Sequence, residues 1–530
     1  MSLKNAQSFP WFGLFCRMFC LKGRPESFLY IILGKQSARG TYCRVSLGIP
    51  PRRDIPAANA PLLEMMLKAA VQTKMNSETP RAKPVDKGPR RNLPDKVDAA
   101  GILVFLIPFF QWAQIRIIGV LTGSDALFLL SFFFLASRFK LRAPTALAKR
   151  FIILCLFWLL SQIATDLIRH TPLPNLARTW SSISVTLAAF MVLFTLLYGR
   201  PRRIVIYGWG SVFGSIVAFF ASPNIFAADD PWKFGLAMPV TLGVVLLASR
   251  KEFRGNLSVQ LLLIIGIINM FLGARSMGGV CLVAAVYVFL ARNVHKKKAV
   301  SVKFKTRTKV AIAISLLLSV GGLGWAYQYV AGSGMLGEDA QSKFRTQSVG
   351  KYGLLLGGRT EILGSLPAIY DSPLIGHGSD AKEPKYLLIE QETLAVLGYD
   401  QVASGFGQSV EEGSGAIPTH SYIFSAWVWA GVLGGVFWAW VWSLTVRTLF
   451  RAYPRTLHIL PLVTFCALGL LWDILFSPYG TYSRVTAPFY VVIFMSCLEI
   501  VPPKATKPAQ ALAISQLRLH NCADGAGGAA

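Results

Sequence analysis

The chain has 530 residues, 53% of them hydrophobic and 15% charged, with a formal net charge of +28. Several apolar runs exceed about 17 residues, which predicts a polytopic all-α transmembrane bundle and excludes a β-barrel, whose spans are short and alternating. The cationic excess sits in short loops on alternate sides of the apolar runs, so it reads as membrane topology and not as a nucleic-acid footprint.

Residues 1–98 differ in kind. They carry 17 Lys/Arg, many prolines and one short apolar patch, "FLYIILG" at 28–34, too short to span. This region reads either as a disordered cytoplasmic tail or as an extension upstream of a start near Met65, Met66 or Met75. The eight cysteines are scattered and define neither a disulfide framework nor a zinc pattern.

Twelve spans follow, at about 100–121, 124–138, 150–168, 179–198, 203–222, 233–249, 256–273, 277–292, 309–331, 419–446, 457–476 and 484–501. With the N-terminus in the cytoplasm, five inner loops hold 22 Lys/Arg and four short outer loops hold five. That asymmetry predicts that both termini are cytoplasmic, the chain ending in a tail at 502–530 read as disordered. One outer segment is unlike the rest. Residues 332–418 form a long outer-face loop with apolar stretches at 361–370 and 385–398, which predict short helices packed over the membrane face.

Charges at membrane depth are costly and normally face a cavity or a partner. Arg116, Lys233, Arg275, Arg359 and Arg484 all map to the outer side. Together they suggest an anion site, since guanidinium forks match phosphate oxygens. Arg116, Arg484 and Lys233, the last beside Asp229 and Asp230, read as either substrate contacts or cations that snorkel to the interface or pair with an acid. Asp166 and Asp473 end spans on the same side, as counter-ions to these arginines or as sugar-hydroxyl ligands. His420 stands after Pro418 at the start of an aromatic-rich helix, where a neutral imidazole can take a proton from a hydroxyl nucleophile. Glu411 and Glu412 either orient His420, bind sugar hydroxyls or belong to a solvated loop. No Asp-x-Asp signature is present, and the spacing of His377, Asp380 and Glu390 fits no standard metal site. No metal or other cofactor is expected.

Three stretches then resemble one family. "GARSMGGVCLVAAVYVFLA" from Gly273, "GGRTEILGSLPAIYDSPLIGHG" at 357–378 and "THSYIFSAWVWAGVLGG" at 419–435 are similar to motifs of the O-antigen ligase/polymerase superfamily, in the same order around one long outer loop. Lys233 stands where many members have an arginine, and Ser421 replaces the common asparagine after the histidine. The resemblance implies a metal-independent glycosyltransferase of the bacterial inner membrane, with 332–418 as its large periplasmic loop. Such an enzyme moves a glycan from undecaprenyl diphosphate to an acceptor glycan or to the lipid A core, as polymerase or as ligase. By that resemblance His420 would be catalytic, and Arg275, Arg359 and Lys233 would hold the diphosphate. Partners are the lipid-linked glycan, the acceptor and the bilayer, with chain-length regulators left open and no nucleic acid. The alternative is a transporter or flippase of an anionic lipid-linked solute, which should show broken helices and a midplane site. The transferase reading requires His420, Arg275 and Arg359 to meet in a single pocket on the non-cytoplasmic side; far apart or on opposite faces, they would leave it without machinery.

Overall fold

Residues 98–117, 119–223, 225–253, 256–295, 306–335, 337–348, 351–353, 359–399, 415–451 and 458–499 are described by a computed structural model. The expected tails and Glu411 and Glu412 lie outside the described residues. Within them the chain is almost wholly helical. Six helices are long and apolar enough to cross a membrane: α3 (Ala146–Ile168), α4 (Leu173–Leu197), α5 (Pro201–Ala221), α9 (Arg275–His295), α10 (Thr306–Gly332) and α15 (Val432–Leu449). Shorter apolar helices accompany them: α1 (Ala99–Phe109), α2 (Gly123–Ser137), α7 (Ala237–Ala248), α8 (Asn256–Phe271) and α16 (Leu460–Phe476). A further helix, α17 (Ser483–Glu499), lies at the core. Outward-facing residues such as Phe133, Leu160, Leu317 and Leu318 leave their side chains exposed, as lipid-facing helices do and water-facing ones rarely do.

The first expected span, 100–121, is corrected by the structure. Asp98 caps α1 by accepting from the Gly101 N–H at 2.8 Å. The helix contains Pro108 and gives way to a 3₁₀ turn ending at Trp112. Beyond it lies a two-stranded antiparallel hairpin, β1 (Gln114–Ile117) and β2 (Gly119–Thr122), with Arg116 opposite Val120. Alternating β-branched residues favour strand over helix here, and Gly119 supplies the turn with φ of +87°. Thr122 and Asp125 then form a reciprocal capping box that starts α2.

Glycines set the close approaches between helices. Gly210 and Gly214 on α5 face the backbone of α1, and a Cβ at Gly214 would lie 2.5 Å from the Pro108 carbonyl oxygen. Gly266 and Gly278 do the same for α8 and α9, where a Cβ at Gly278 would lie 2.8 Å from the Gly266 carbonyl. Without water to drive association, small residues let helices pack backbone to backbone. A short helix, α6 (Ile225–Asp229), and a π-turn (Trp232–Leu236) lead into α7.

The long loop folds as α11 (Glu338–Ser348), α12 (Ile362–Asp371) and α13 (Pro384–Val396), the last two over the stretches read as helical in the sequence. The tenth expected span is corrected as well. It is two helices, α14 (Tyr422–Ala430) and α15, broken at Gly431, whose φ is +70°. The break is filled by the loop. A Cβ at Gly431 would fall inside the Leu374 carbonyl, and one at Gly376 would lie 2.6 Å from the Gly431 nitrogen. His377 N–H donates to the Val428 carbonyl at 2.7 Å and Gly378 N–H to the Trp429 carbonyl at 3.2 Å, so loop backbone satisfies carbonyls that the break exposes.

Gly431→Ala is therefore expected to destabilise the chain by about 2–4 kcal/mol through positive-φ strain and backbone overlap. Gly469→Ala, with nothing within 4 Å of the added carbon, should shift stability by no more than about 0.5 kcal/mol. Thermal unfolding in detergent measures both.

Candidate functional site

His420 precedes α14 with its ring about half exposed. Next to it, Ser421 caps α14 by accepting from Phe424 N–H at 3.2 Å, and its own hydroxyl donates to the Ile474 carbonyl at 2.7 Å. The histidine is thereby pinned to the end of α16. Its Nδ1 lies 3.6 Å from Oε1 of Glu361, an ion-pair spacing for a protonated ring and longer than a hydrogen bond. Glu361 reaches this place because α12 packs closely on the residues before His420. A Cβ at Gly364 would lie 2.9 Å from the Pro418 ring, and the Ser365 hydroxyl donates to the Pro418 carbonyl.

Arg359, two residues before Glu361, lies over Trp472 at 5.6 Å and over Phe476 at 5.9 Å from the ring centroids. Both rings belong to the last turns of α16. Arg359 and His420 thus flank the same helix end. Arg275 begins α9 and lies over Tyr327 of α10 at 5.0 Å. It is not in direct contact with Arg359 or His420; what links them is the packing of α9 against α16. Among the described residues neither Arg275 nor Arg359 forms an ion pair. Lys233, on the π-turn before α7, lies over Phe234 at 4.6 Å. Its loop approaches the start of α9, with Asp230 Oδ2 3.5 Å from where a Cβ of Gly273 would be. Arg275 and Arg359, on ring faces and without an acid partner among the described residues, keep N–H groups available for an anion.

Other expected site residues are differently employed. Asp166 is buried and accepts from Ser379 N–H at 2.6 Å, Ser379 Oγ–H at 2.7 Å, Trp180 Nε1–H at 2.7 Å and Gln162 Nε2–H at 3.3 Å. It anchors the loop and is no counter-ion to Arg275 or Arg359. Arg484 is buried against Asp125, with Nε 3.0 Å from Oδ1 and Nη2 on Oδ2, and Nη2 also donates to the Val120 carbonyl at 2.6 Å. Its counter-ion is thus Asp125, not one of the two acids expected from sequence. Arg116 is exposed on β1 and not within a span. Asp473 accepts from Ser477 Oγ–H at 2.7 Å and adjoins Ile474, the residue that takes the Ser421 hydroxyl. His377 is structural, held between Glu383 at 2.6 Å and the Ala368 carbonyl at 2.8 Å. Among the described residues no three His, Cys, Asp or Glu gather as a metal site.

Sequence reading missed Glu361 as a candidate and saw Glu390 only as an unfit metal ligand. Glu390 occupies the buried face of α13 with Tyr386 and Leu394, four residues to either side. Its side chain is 0% exposed, and neither carboxyl oxygen has a hydrogen-bond partner by distance and angle. Burial pushes its pKa up to about 7; the Thr360 hydroxyl pulls it down and the negative charge of Glu361 adds to the rise. A carboxylate falling on an apolar helical stripe is a signal that the sequence did contain.

Two outcomes are expected. Arg484→Gln leaves Asp125 buried without its cation and should cost about 3–5 kcal/mol in thermal stability. Glu390 holds its proton more tightly folded than unfolded. Its cost is therefore absent at low pH, grows between about 4.5 and about 7, and is constant above. Glu390→Gln should thus gain up to about 3 kcal/mol at pH about 8 relative to its effect at pH about 4, read from thermal unfolding at the two pH values.

Comparison of the chain with protein-family models, curated proteins and solved structures finds no match, so the residues themselves carry the functional argument.

Proposed function

We propose that the chain is a twelve-span inner-membrane glycosyltransferase of the O-antigen ligase/polymerase kind. In this reading it moves a glycan from undecaprenyl diphosphate to an acceptor hydroxyl at the periplasmic face. The observation that carries the reading is the half-exposed His420, with the Glu361 carboxylate at 3.6 Å, beside Arg359, a guanidinium that rests on rings and pairs with no acid. The loop charges support the orientation, since 22 Lys/Arg lie on the opposite side of the expected spans and five on this one.

The roles follow from the chemistry. The acceptor oxygen bonds to the anomeric carbon, and the bond from that carbon to the diphosphate oxygen breaks. His420 takes the hydroxyl proton, and Glu361 stabilises the imidazolium that forms. Arg359 and Arg275, with Lys233 on the adjoining loop, neutralise the departing diphosphate, which lets charge leave without a divalent ion. Repeat-unit polymerisation and ligation to lipid A core use the same parts and differ in the acceptor. The transporter alternative draws on the break at Gly431, but that break is plugged by loop backbone and so opens no midplane site.

Replacing His420 with Ala should lower glycan transfer by about 10²–10⁴-fold, and Arg359→Ala or Arg275→Ala should weaken it severely too. Surface-polysaccharide gels read the result. Accumulated single-repeat material indicates polymerisation, and free polymer with unmodified lipid A core indicates ligation. Normal chain length and abundance in both His420→Ala and Arg275→Ala would refute the transferase.

A further inference from the structure

A second group of cations gathers at the end of α3 remote from Asp166, the whole 23-residue helix away from the loop that Asp166 grips. It is built where α2 stops, α3 begins, α4 stops and α5 begins. The two connections there, 138–150 and 199–203, carry five and three Lys/Arg and no acid. They lie side by side, because Arg142 N–H donates to Thr195 Oγ1 at 3.2 Å and Arg142 Nη1 to the Tyr198 carbonyl at 2.9 Å. Arg200 and Arg203 each place Nη1 3.2 Å from the same Leu196 carbonyl. Three guanidiniums thus share the last turn of α4.

What holds them is mostly uncharged. The last carbonyls of a helix carry only a partial negative charge, and Arg142 rests over the Tyr198 ring at 4.5 Å from its centroid. Two acids reach this end and both are taken up. Asp98 accepts from Gly101 N–H and pairs with Arg203. Glu499 accepts from Tyr198 O–H at 2.9 Å and from Leu147 N–H at 3.4 Å. Arg142 and Arg200 donate to backbone carbonyls and, among the described residues, form no ion pair; both are exposed. Burial, then the charges of Arg203 and Arg142, hold the Arg200 guanidinium below its usual pKa, as cations do when their counter-charge is short. Apolar surface adjoins them. α2 packs on α4 and leaves Phe133 and Phe134 exposed. Just beyond its end, Phe139 is 96% exposed at a left-handed φ of +50°. A bare ring on a cationic loop gains nothing in water. At a bilayer boundary, rings and cations divide between acyl chains and head groups.

We infer that Arg142, Arg200 and Arg203 form a binding site for the phosphate of an anionic phospholipid, whose acyl chains lie against Phe139 and the exposed face of α2. Guanidinium forks match phosphate oxygens, and basic pockets between spans take anionic head groups. A soluble phosphate offers the same oxygens, but the exposed phenylalanines beside the cations favour a ligand with an apolar part. The site is separate from His420 and Arg359 and holds whether or not the chain is a transferase.

Native mass spectrometry of the full chain in a neutral detergent, titrated with phosphatidylglycerol or phosphatidylcholine, tests this. Phosphatidylglycerol is expected to bind the wild type more tightly than phosphatidylcholine. Arg142→Gln combined with Arg200→Gln keeps amide donors for the α4 carbonyls and removes two charges. It should weaken phosphatidylglycerol binding roughly thirtyfold, about fivefold for each charge, and leave phosphatidylcholine binding unchanged. Arg307→Gln combined with Lys309→Gln removes the same charge at the start of α10 and should alter binding less than about twofold. Arg142→Lys combined with Arg200→Lys keeps the charge and loses the forks, so it should weaken binding about threefold to tenfold. That pair carries the test if the glutamine pair does not fold. Equal weakening in the α10 pair would reduce the effect to diffuse charge and overturn the site, as would phosphatidylglycerol binding no tighter than phosphatidylcholine. Displacement of the lipid by inorganic phosphate or glycerol 3-phosphate at concentrations like the lipid's own would make the ligand a soluble anion and overturn the lipid assignment.

Discussion

The fold of the candidate site depends on one backbone-to-backbone insertion. Residues Leu374 to Gly378 lie in the notch that Gly431 opens between α14 and α15, so close that no side chain fits on Gly431 or Gly376. A membrane helix can be broken only where its orphaned carbonyls find other donors, and here His377 and Gly378 N–H groups are those donors. The exchange is mutual. The loop gains a fixed seat, and the helix is allowed to stop and restart.

That seat is held from a second side by α3. Asp166 grips both the backbone and the hydroxyl of Ser379, Thr165 Oγ1–H donates to the Ile375 carbonyl, and Arg169 donates to the Gly376 carbonyl at 3.0 Å and to Ser372 Oγ at 2.9 Å. With residues 372–379 clamped, α12 immediately before them has little freedom. Its contact at Gly364 and Pro418 then delivers Glu361 to His420. A pair of residues 59 positions apart in sequence is thus set by contacts that neither of them makes, which is the kind of supporting structure a precise site needs.

How much of this was legible in the sequence follows from the kind of interaction. Apolar runs and loop charges speak directly to helices in lipid, so the helical segments and the two loop helices could be placed within a few residues. The hairpin at Gln114–Thr122 could not, because in an apolar run of Ile, Val and Leu hydropathy exceeds any period-two signal. The break at Gly431 hid for a similar reason. A glycine within an aromatic helix is ordinary, and only the approach of Leu374 makes it obligatory. Among site residues, His420 and Arg359 could be singled out because polar groups at a membrane boundary are conspicuous. Glu361 could not, since it sits in a loop where acids are common, and Glu390 was marked only by its place on the apolar stripe of α13. Arg484 misled in the opposite direction. Its position at an outer helix end looks like that of Arg275, and its true partner Asp125 is 359 residues away.

The cations at this end of the bundle separate by what holds them. Arg484 is buried on Asp125, Arg178 is paired with Asp380, and Arg169 is spent on loop carbonyl and hydroxyl oxygens. Each of these ties a loop to a helix, and adding a second anion there would compete with a partner already in place. Arg275 and Arg359 rest instead on Tyr327 and on the Trp472–Phe476 rings. A ring face orients a guanidinium without neutralising its charge, and it leaves the donor fork unsatisfied by any acid. Glu361, the acid nearest to Arg359 in sequence, is turned to His420. The arrangement keeps a cation and an imidazole at one helix end without letting the one's counter-ion quench the other, which is what the proposed transfer from a diphosphate to a hydroxyl would require.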